Sequence, residues 1–327
     1  MILPMTVMAI VCIAATPAAA AETPKGGTVS LVLENDVFYN SDRDYTSGVA
    51  IIVVPKDSAP PPWALKFARA LPWFPREGSV RHGYAFGQNM YTPADITLVD
   101  PPRSDRPYAG WLYATIGLAI ETERRFDHLA LSAGIVGPAS LAEETQKAVH
   151  KLIGSPEPRG WDTQLRNEPG VVLTYQRGWR TLAVDSPDGF DFDLTTHLGG
   201  ALGNVHTYAN TGLTFRYGKN LSVDYGPPRI QPSAPGSIFF APADKFAWYL
   251  FAGIEGRAVG RNIFLDGNTF RDSRSVDKEP FIGDLHFGLS FAWRDVRLSY
   301  THVMLTHQFK GQTGRNEFGA ISLSIAY

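Results

Sequence analysis

From Glu317 to Tyr327 the chain alternates, with Ile321, Leu323, Ile325 and Tyr327 on one face and Ala320, Ser322, Ser324 and Ala326 on the other. An apolar–small alternation running into a terminal aromatic is the pattern of a strand with lipid on one side and a barrel interior on the other. Half-buried strands of soluble sheets alternate as well, so the remaining segments decide. Leu285, Phe287, Leu289, Phe291 and Trp293 alternate with Asp284, His286, Gly288 and Ser290. Leu112, Ala114, Ile116, Leu118 and Ile120 alternate with Trp111, Tyr113, Thr115, Gly117 and Ala119. Phe190, Phe192 and Leu194 alternate with Asp191, Asp193 and Thr195, and Val296, Leu298 and Tyr300 with Arg297, Ser299 and Thr301. A tilted strand of about 9–11 residues spans the apolar slab of a bilayer, and these segments have that length.

Counting back from Tyr327 predicts an all-β, outer-membrane-type antiparallel barrel of twelve strands, over 317–327, 296–306, 281–293, 247–258, 207–217, 190–202, 171–182, 128–137, 109–122, 81–89, 48–54 and 28–38. The short links Glu123–Asp127, Ser186–Gly189 and Arg294–Asp295 then share the periplasmic side, and the long segments 90–108, 138–170 and 259–280 lie outside. Short periplasmic turns and long external loops are the rule for such barrels. Two periplasmic links, 55–80 and 218–246, are long and proline-rich, and are expected to pack as short helices or plugs beneath the barrel. Tyr45, Tyr91 and Trp111 are expected at the outer end, where aromatics favour the membrane interface. The alternative is a periplasmic β-sandwich, but outward faces carrying Phe, Leu and Trp together would make its surface aggregate.

Met1–Ala21 is apolar and small-residue-rich, ends in four alanines, and reads as a signal peptide cleaved near Ala20 or Ala21, although no Lys or Arg follows Met1. Residues 22–327 then form one barrel domain without cysteine, because the sole Cys12 lies in the leader. Disulfides therefore do not hold it together; a closed barrel can, since its backbone groups pair between strands. No later segment reaches the 18 or so apolar residues of a membrane helix, and the mean hydropathy of -0.11 is low. Polar residues on the inner face of a barrel account for that value. With no basic stripe and a net charge of -2, nucleic acid is not a partner.

Glu34-Asn35-Asp36 lies near the top of the first strand and Asp42-Arg43-Asp44-Tyr45-Thr46 opens the second. Asn and Asp oxygens with a threonine hydroxyl are hard ligands of the kind Ca²⁺ takes, though Asn, Asp, Ser and Gly also crowd ordinary loops. Strict alternation cannot point both Asn35 and Asp36 inward, so a bulge or the strand end must re-aim one. Further along, Gln146 and His150 are spaced i, i+4 and share one face of a short helix, which could hang them over the barrel mouth. Histidine titrates near neutrality and suits general base catalysis; a solvated loop histidine is the plainer reading. There is no Gly-x-Ser-x-Gly elbow and no His-Glu-x-x-His zinc motif.

Together, Leu33–Asp36, Asp42–Gly48, Gln88–Pro93, Asp105–Gly110, Gly137-Pro138, Gln146–Gly154 and Trp161–Gln164 resemble the successive signatures of the outer-membrane lipid A deacylase family. The resemblance starts at the expected mature N-terminus and is densest through residue 170, with strand-level similarity beyond. It implies a twelve-stranded barrel whose partners are lipid A and outer-membrane lipid; a monomer is expected. It also implies Ca²⁺-dependent hydrolysis of the ester that carries the 3'-linked acyloxyacyl chain. On this resemblance Asn35, Asp36 and His150 are catalytic, Gln146 and Thr46 support them, and Asp36, Asn35 and Thr46 are the candidate Ca²⁺ ligands. The family's lysine after the Tyr-x-Pro stretch has no counterpart here, since no lysine lies between Lys66 and Lys147. Arg103 or Arg106 is the candidate replacement, with a different reach and geometry. The family's carboxylate near the helix end matches Glu157 only loosely. A phospholipase-like barrel would share this chemistry, and a transport barrel would need neither metal nor histidine.

Overall fold

The computed structural model describes residues 26–36, 44–221, 224–230, 237, 240, 242–314 and 316–327. The expected leader 1–21 lies outside them. Twelve antiparallel strands close on themselves. They are β1 (Thr28–Asn35), β2 (Asp44–Val54), β3 (Arg81–Thr92), β4 (Ala109–Glu121), β5 (Arg125–Val136) and β6 (Glu168–Val184), followed by β7 (Phe190–Gly203), β8 (His206–Lys219), β9 (Ala243–Asn262), β10 (Phe281–Arg294), β11 (Val296–Leu305) and β12 (Asn316–Ala326). Three short helices, α1 (Pro62–Ala70), α2 (Ala142–Ile153) and α3 (Ile263–Asp266), sit in the links. Closure pairs β1 with β12 from Thr28↔Ala326 to Asn35↔Gly319, and Ser30 Oγ donates to Ser324 Oγ at 2.7 Å on the inner face.

The period-2 pattern sorts as physics requires. Leu285, Phe287 and Phe291 on β10, and Leu323 and Ile325 on β12, are exposed, while their neighbours Asp284, His286, Ser290, Ser322 and Ser324 are buried. Several strands outrun the expected spans: β3 continues to Thr92 and β9 covers Ala243–Asn262. Ladder pairing does not stop at the edge of the apolar band, because polar inward residues still have partners across the strands. Short links at 122–124, 185–189 and Asp295 share the end that holds Thr28 and Ala326, and the long loops share the other. By the usual asymmetry the first end faces the periplasm. Among the described residues no helix is long and apolar enough to cross a membrane.

The two proline-rich links behave differently from each other: the first contains the expected short helix, α1, and the described residues of the second form a plug. The first wraps the outside: Ala64, Ala68 and Phe74 pack with Leu118, Ile120 and Leu129 of the outer wall. The second enters the lumen. There Asp224 holds Arg216 Nη1 at 2.8 Å and also pairs with Arg297, while Arg216 Nη2 reaches Asp193 at 2.5 Å. Ile230 packs on Val32 and Ala50. Charges this deep are tolerated because each has a partner.

The loop end is closed too. Tyr91, Trp111, Tyr113, Tyr208, Val205, Ile263 and Phe264 form one cluster, with the Tyr91 and Phe264 rings stacked at 4.0 Å. Tyr45, Tyr91 and Trp111 do stand at the loop-end termini of their strands, but they belong to this internal plug and not to a membrane girdle. Register explains it: Tyr91 and Trp111 occupy the lumen-facing set of β3 and β4, opposite to exposed Tyr84 and Phe86.

Candidate active site

Residue parity places the predicted residues on specific faces of the wall. On β1, Val29, Leu31 and Leu33 are exposed, so Asn35 belongs to the outward set, where it is half-buried opposite Ser47. Glu34 points inward. Its carboxylate accepts from the Tyr45 hydroxyl at 2.9 Å and from the Ile230 amide at 3.2 Å. Gly48 sits beside it in register, and a Cβ there would fall 2.0 Å from the Tyr45 hydroxyl. Asp36 lies just past the strand, is 2% exposed, and donates its amide to the Thr46 carbonyl at 3.2 Å.

No bulge interrupts β1, which pairs with β2 without a break through Asn35↔Ser47, and Asp36 follows at the strand end. A register irregularity lies instead between β2 and β3. The β2–β3 register shifts between Tyr45 and Ser47, leaving Thr46 as the bulged residue, and a bulge re-aims a side chain. Thr46 is buried, and its hydroxyl lies 2.6 Å from that of Thr92 at the end of β3. Asp42, Arg43 and the rest of 37–43 lie outside the described residues.

The helix of Gln146 and His150 does not hang over the mouth. It lies against the outer wall, because Gln88, Met90 and Thr92 of β3 and Gly110 of β4 form the outward set there. Gln88 Nε2 donates to the Ser140 carbonyl at 2.6 Å, and Met90 packs with Ile96, Tyr108, Ala142 and Trp161. Gly110 makes the seat possible: a Cβ on it would lie 2.1 Å from Ser140 Oγ and 2.3 Å from Ala142 Cβ. Thr46–Thr92 and the α2 seat therefore both attach to the outer end of β3.

The i, i+4 spacing works as expected. Ala142, Gln146 and His150 form the buried face of α2. The helix is inverted in polarity, since Val149, Leu152 and Ile153 are exposed. It begins at Leu141 with φ 59°, a left-handed conformation that costs a side-chain-bearing residue about 1–2 kcal/mol. Trp161 Nε1 donates to Gln146 Oε1 at 2.8 Å, which directs the Gln146 amide nitrogen the other way. His150 Nδ1 lies 2.6 Å from the Pro156 carbonyl oxygen. A carbonyl only accepts, so Nδ1 carries a proton, and the tautomer this selects has its lone pair on Nε2. The bond to Glu143 at 2.6 Å raises the Lys147 pKa and ties down the outer side of the helix.

The other candidates separate. Glu157 is exposed, and it is the backbone carbonyl of the preceding Pro156 that meets His150. Arg103 is exposed. Arg106 is 1% exposed, lies 5.1 Å over the Tyr91 ring and donates from Nη1 to Gln308 Oε1 at 3.3 Å. Thr92, Trp161 and Pro156 sit inside or beside quoted motifs, yet nothing in their type announces these contacts; Gln308 carries no sequence signal at all. A lumen cavity of about 140 Å³, lined by Trp111, Gln176, His206 and Arg229 among others, contains none of the predicted site residues.

As a cation site, the Asn35–Asp36–Thr46 group offers carboxylate, amide and hydroxyl oxygens and no sulfur or nitrogen ligand, which suits a hard ion. Among the described residues no three His, Cys, Asp or Glu side chains cluster as metal ligands.

The family model described as outer membrane protein LpxR matches residues 7–327. No curated protein matches the sequence. Among solved structures, LpxR from Salmonella typhimurium aligns with a TM-score of 0.73, covering 91% of this chain and 99% of that one at 16% identity. The β domain of the Bordetella autotransporter BrkA aligns with a TM-score of 0.45, covering 92% of this chain and 98% of that one at 9% identity. The family match runs through all twelve strands of a closed barrel with an apolar outer face, and the chain belongs to the LpxR family of outer-membrane proteins.

Proposed function

We propose that the protein is a Ca²⁺-dependent lipid A 3'-O-deacylase, an ester hydrolase that removes the 3'-linked acyloxyacyl chain in the outer membrane. The observation that carries this reading is the placement of α2 and the Thr46–Thr92 pair on the outer wall at the loop end. A membrane lipid reaches that surface laterally, without leaving the bilayer. A transport barrel would use its lumen, and this lumen is filled by Asp224, Arg216, Arg297 and the aromatic cluster.

In the proposed reaction His150 Nε2 takes a proton from water, whose oxygen adds to the ester carbonyl. The tetrahedral intermediate then collapses, releasing the fatty acid, and His150 returns the proton to the sugar oxygen as it leaves. The Pro156 carbonyl holds the ring in the tautomer that can do this. The Gln146 amide nitrogen, oriented by Trp161, is a donor for the substrate's carbonyl or phosphate oxygens. Asp36, Asn35 and Thr46 would hold Ca²⁺, which when bound supplies Lewis-acid polarisation of the ester carbonyl. The exposed Val149, Leu152 and Ile153 offer an apolar surface to the acyl chains.

The test is mass spectrometry of lipid A from membranes with and without the protein, in added Ca²⁺ and in chelator. Loss of the 3'-linked chain only with protein and Ca²⁺ is expected. Cleavage of glycerophospholipid instead would assign the phospholipase chemistry.

A further inference from the structure

A second membrane-facing feature, on the opposite end of the wall from α2, has chemistry of its own. The link between β2 and β3 lies at the periplasmic end, and α1 within it begins with Pro62 in its first turn, where the missing N–H costs nothing. Its nine residues divide into three faces. Ala64 and Ala68 are buried on the wall beside Leu118, Ile120 and Leu129. Trp63 and Phe67, one turn apart, are 58% and 45% exposed, and Trp73 beyond the helix is 50% exposed. Lys66 and Arg69 form the third face, and Arg76 follows; all three are exposed.

The segment is held in place. Arg177 Nη2 donates to the Trp73 carbonyl at 2.7 Å and the Tyr175 hydroxyl to the same oxygen at 3.2 Å. Arg177 and Tyr175 also reach the fully buried Asp127 at 2.6 Å each. These groups occupy the outward set of β5 and β6, where bare wall would be apolar, and the Trp73 backbone covers them. A large aromatic pair left exposed on a docked helix is unusual for a water-facing link. Ile116 beneath it pairs in register with Tyr84, and Ile51, Tyr84 and Phe86 are all exposed on the adjoining outer wall of β2 and β3.

We infer that α1 and Leu71–Arg76 form a binding site for an anionic phospholipid of the inner leaflet. Trp63, Phe67 and Trp73 sit at the boundary of headgroup and acyl chains, and Lys66, Arg69 and Arg76 pair with the phosphate. Amphipathic helices with aromatic and basic faces bind lipid surfaces in this way, and indole rings favour that depth. The site is independent of the deacylase chemistry.

The intact protein, folded in detergent, is mixed with equal amounts of phosphatidylglycerol and phosphatidylcholine of matched chains, and retained lipids are counted by native mass spectrometry. Wild type is expected to retain phosphatidylglycerol in preference. Each of Lys66→Gln, Arg69→Gln and Arg76→Gln is expected to weaken that retention about fivefold, and Trp63→Ser with Phe67→Ser to weaken retention of both lipids. Equal retention of the two lipids by wild type overturns the proposal without reference to any variant. So does a preference that survives in the triple Gln variant, with heat-modifiable mobility confirming a folded barrel.

Discussion

His150 donates Nδ1–H to the carbonyl oxygen of Pro156 across 2.6 Å, six residues further along the same loop. The helix and its own return segment thus both contribute to the histidine's orientation. A backbone carbonyl holds the tautomer without stabilising an imidazolium as strongly as an aspartate would. Replacing His150 by Asn should lower ester cleavage by about 10²–10⁴-fold, the usual contribution of a general base, with heat-modifiable folding unchanged. A variant within about threefold of wild type in a lipid A cleavage assay would remove His150 from the mechanism.

Asp36→Ala should abolish both Ca²⁺-dependent cleavage and calorimetric Ca²⁺ binding, with the barrel intact. Asp36 is the buried carboxylate of an otherwise neutral oxygen group, so its loss removes the charge a divalent cation requires. Unchanged calcium dependence in this variant would place the ion elsewhere.

Gly110→Val should disable the enzyme without unfolding it. The added carbons would displace Ser140 and Ala142, lifting α2 from β3 and β4 while leaving strand pairing alone. The expected readout is faster proteolysis within residues 138–160 together with lost cleavage activity, against an unaltered barrel signature on gels. Full activity would show that the seat of α2 is not needed to position His150.

Asp224→Ala should act on stability. It strips Arg216 and Arg297 of a shared, buried counter-ion, and breaking a buried pair from one side costs about 3–5 kcal/mol. Denaturant unfolding should show that loss, with activity per folded molecule retained because the plug is remote from α2. A change below about 1 kcal/mol would mean that Arg216 and Arg297 do not depend on Asp224 as their counter-ion.

Much of the site was readable as chemistry before it was readable as geometry. The Gln146–His150 spacing set a shared helical face, whereas the register shift at Thr46 lies between β2 and β3 and was not readable from the alternation of Asn35 and Asp36. The choice between Arg103 and Arg106 was not readable. Both occupy one polar loop, and only contact with Tyr91 and Gln308, from the neighbouring strand and from the loop after β11, draws Arg106 inward. Trp161 and Pro156 were equally silent, since their roles depend on where the loop folds back.

Alternation along the chain was sufficient to determine the strands, their number and which residues share a face, because side chains in a strand have period 2 whatever surrounds them. Periodicity carries no information about what covers a face. Leu118 and Leu285 stand in equivalent outward positions, yet α1 buries the first and lipid is left to meet the second. Likewise α2 came to rest on the outer wall and not over the mouth, because Gly110 leaves room there while Tyr91, Trp111 and Phe264 already fill the lumen. Which side of the wall carries α2 was decided by tertiary packing, through the volumes of residues far apart in sequence.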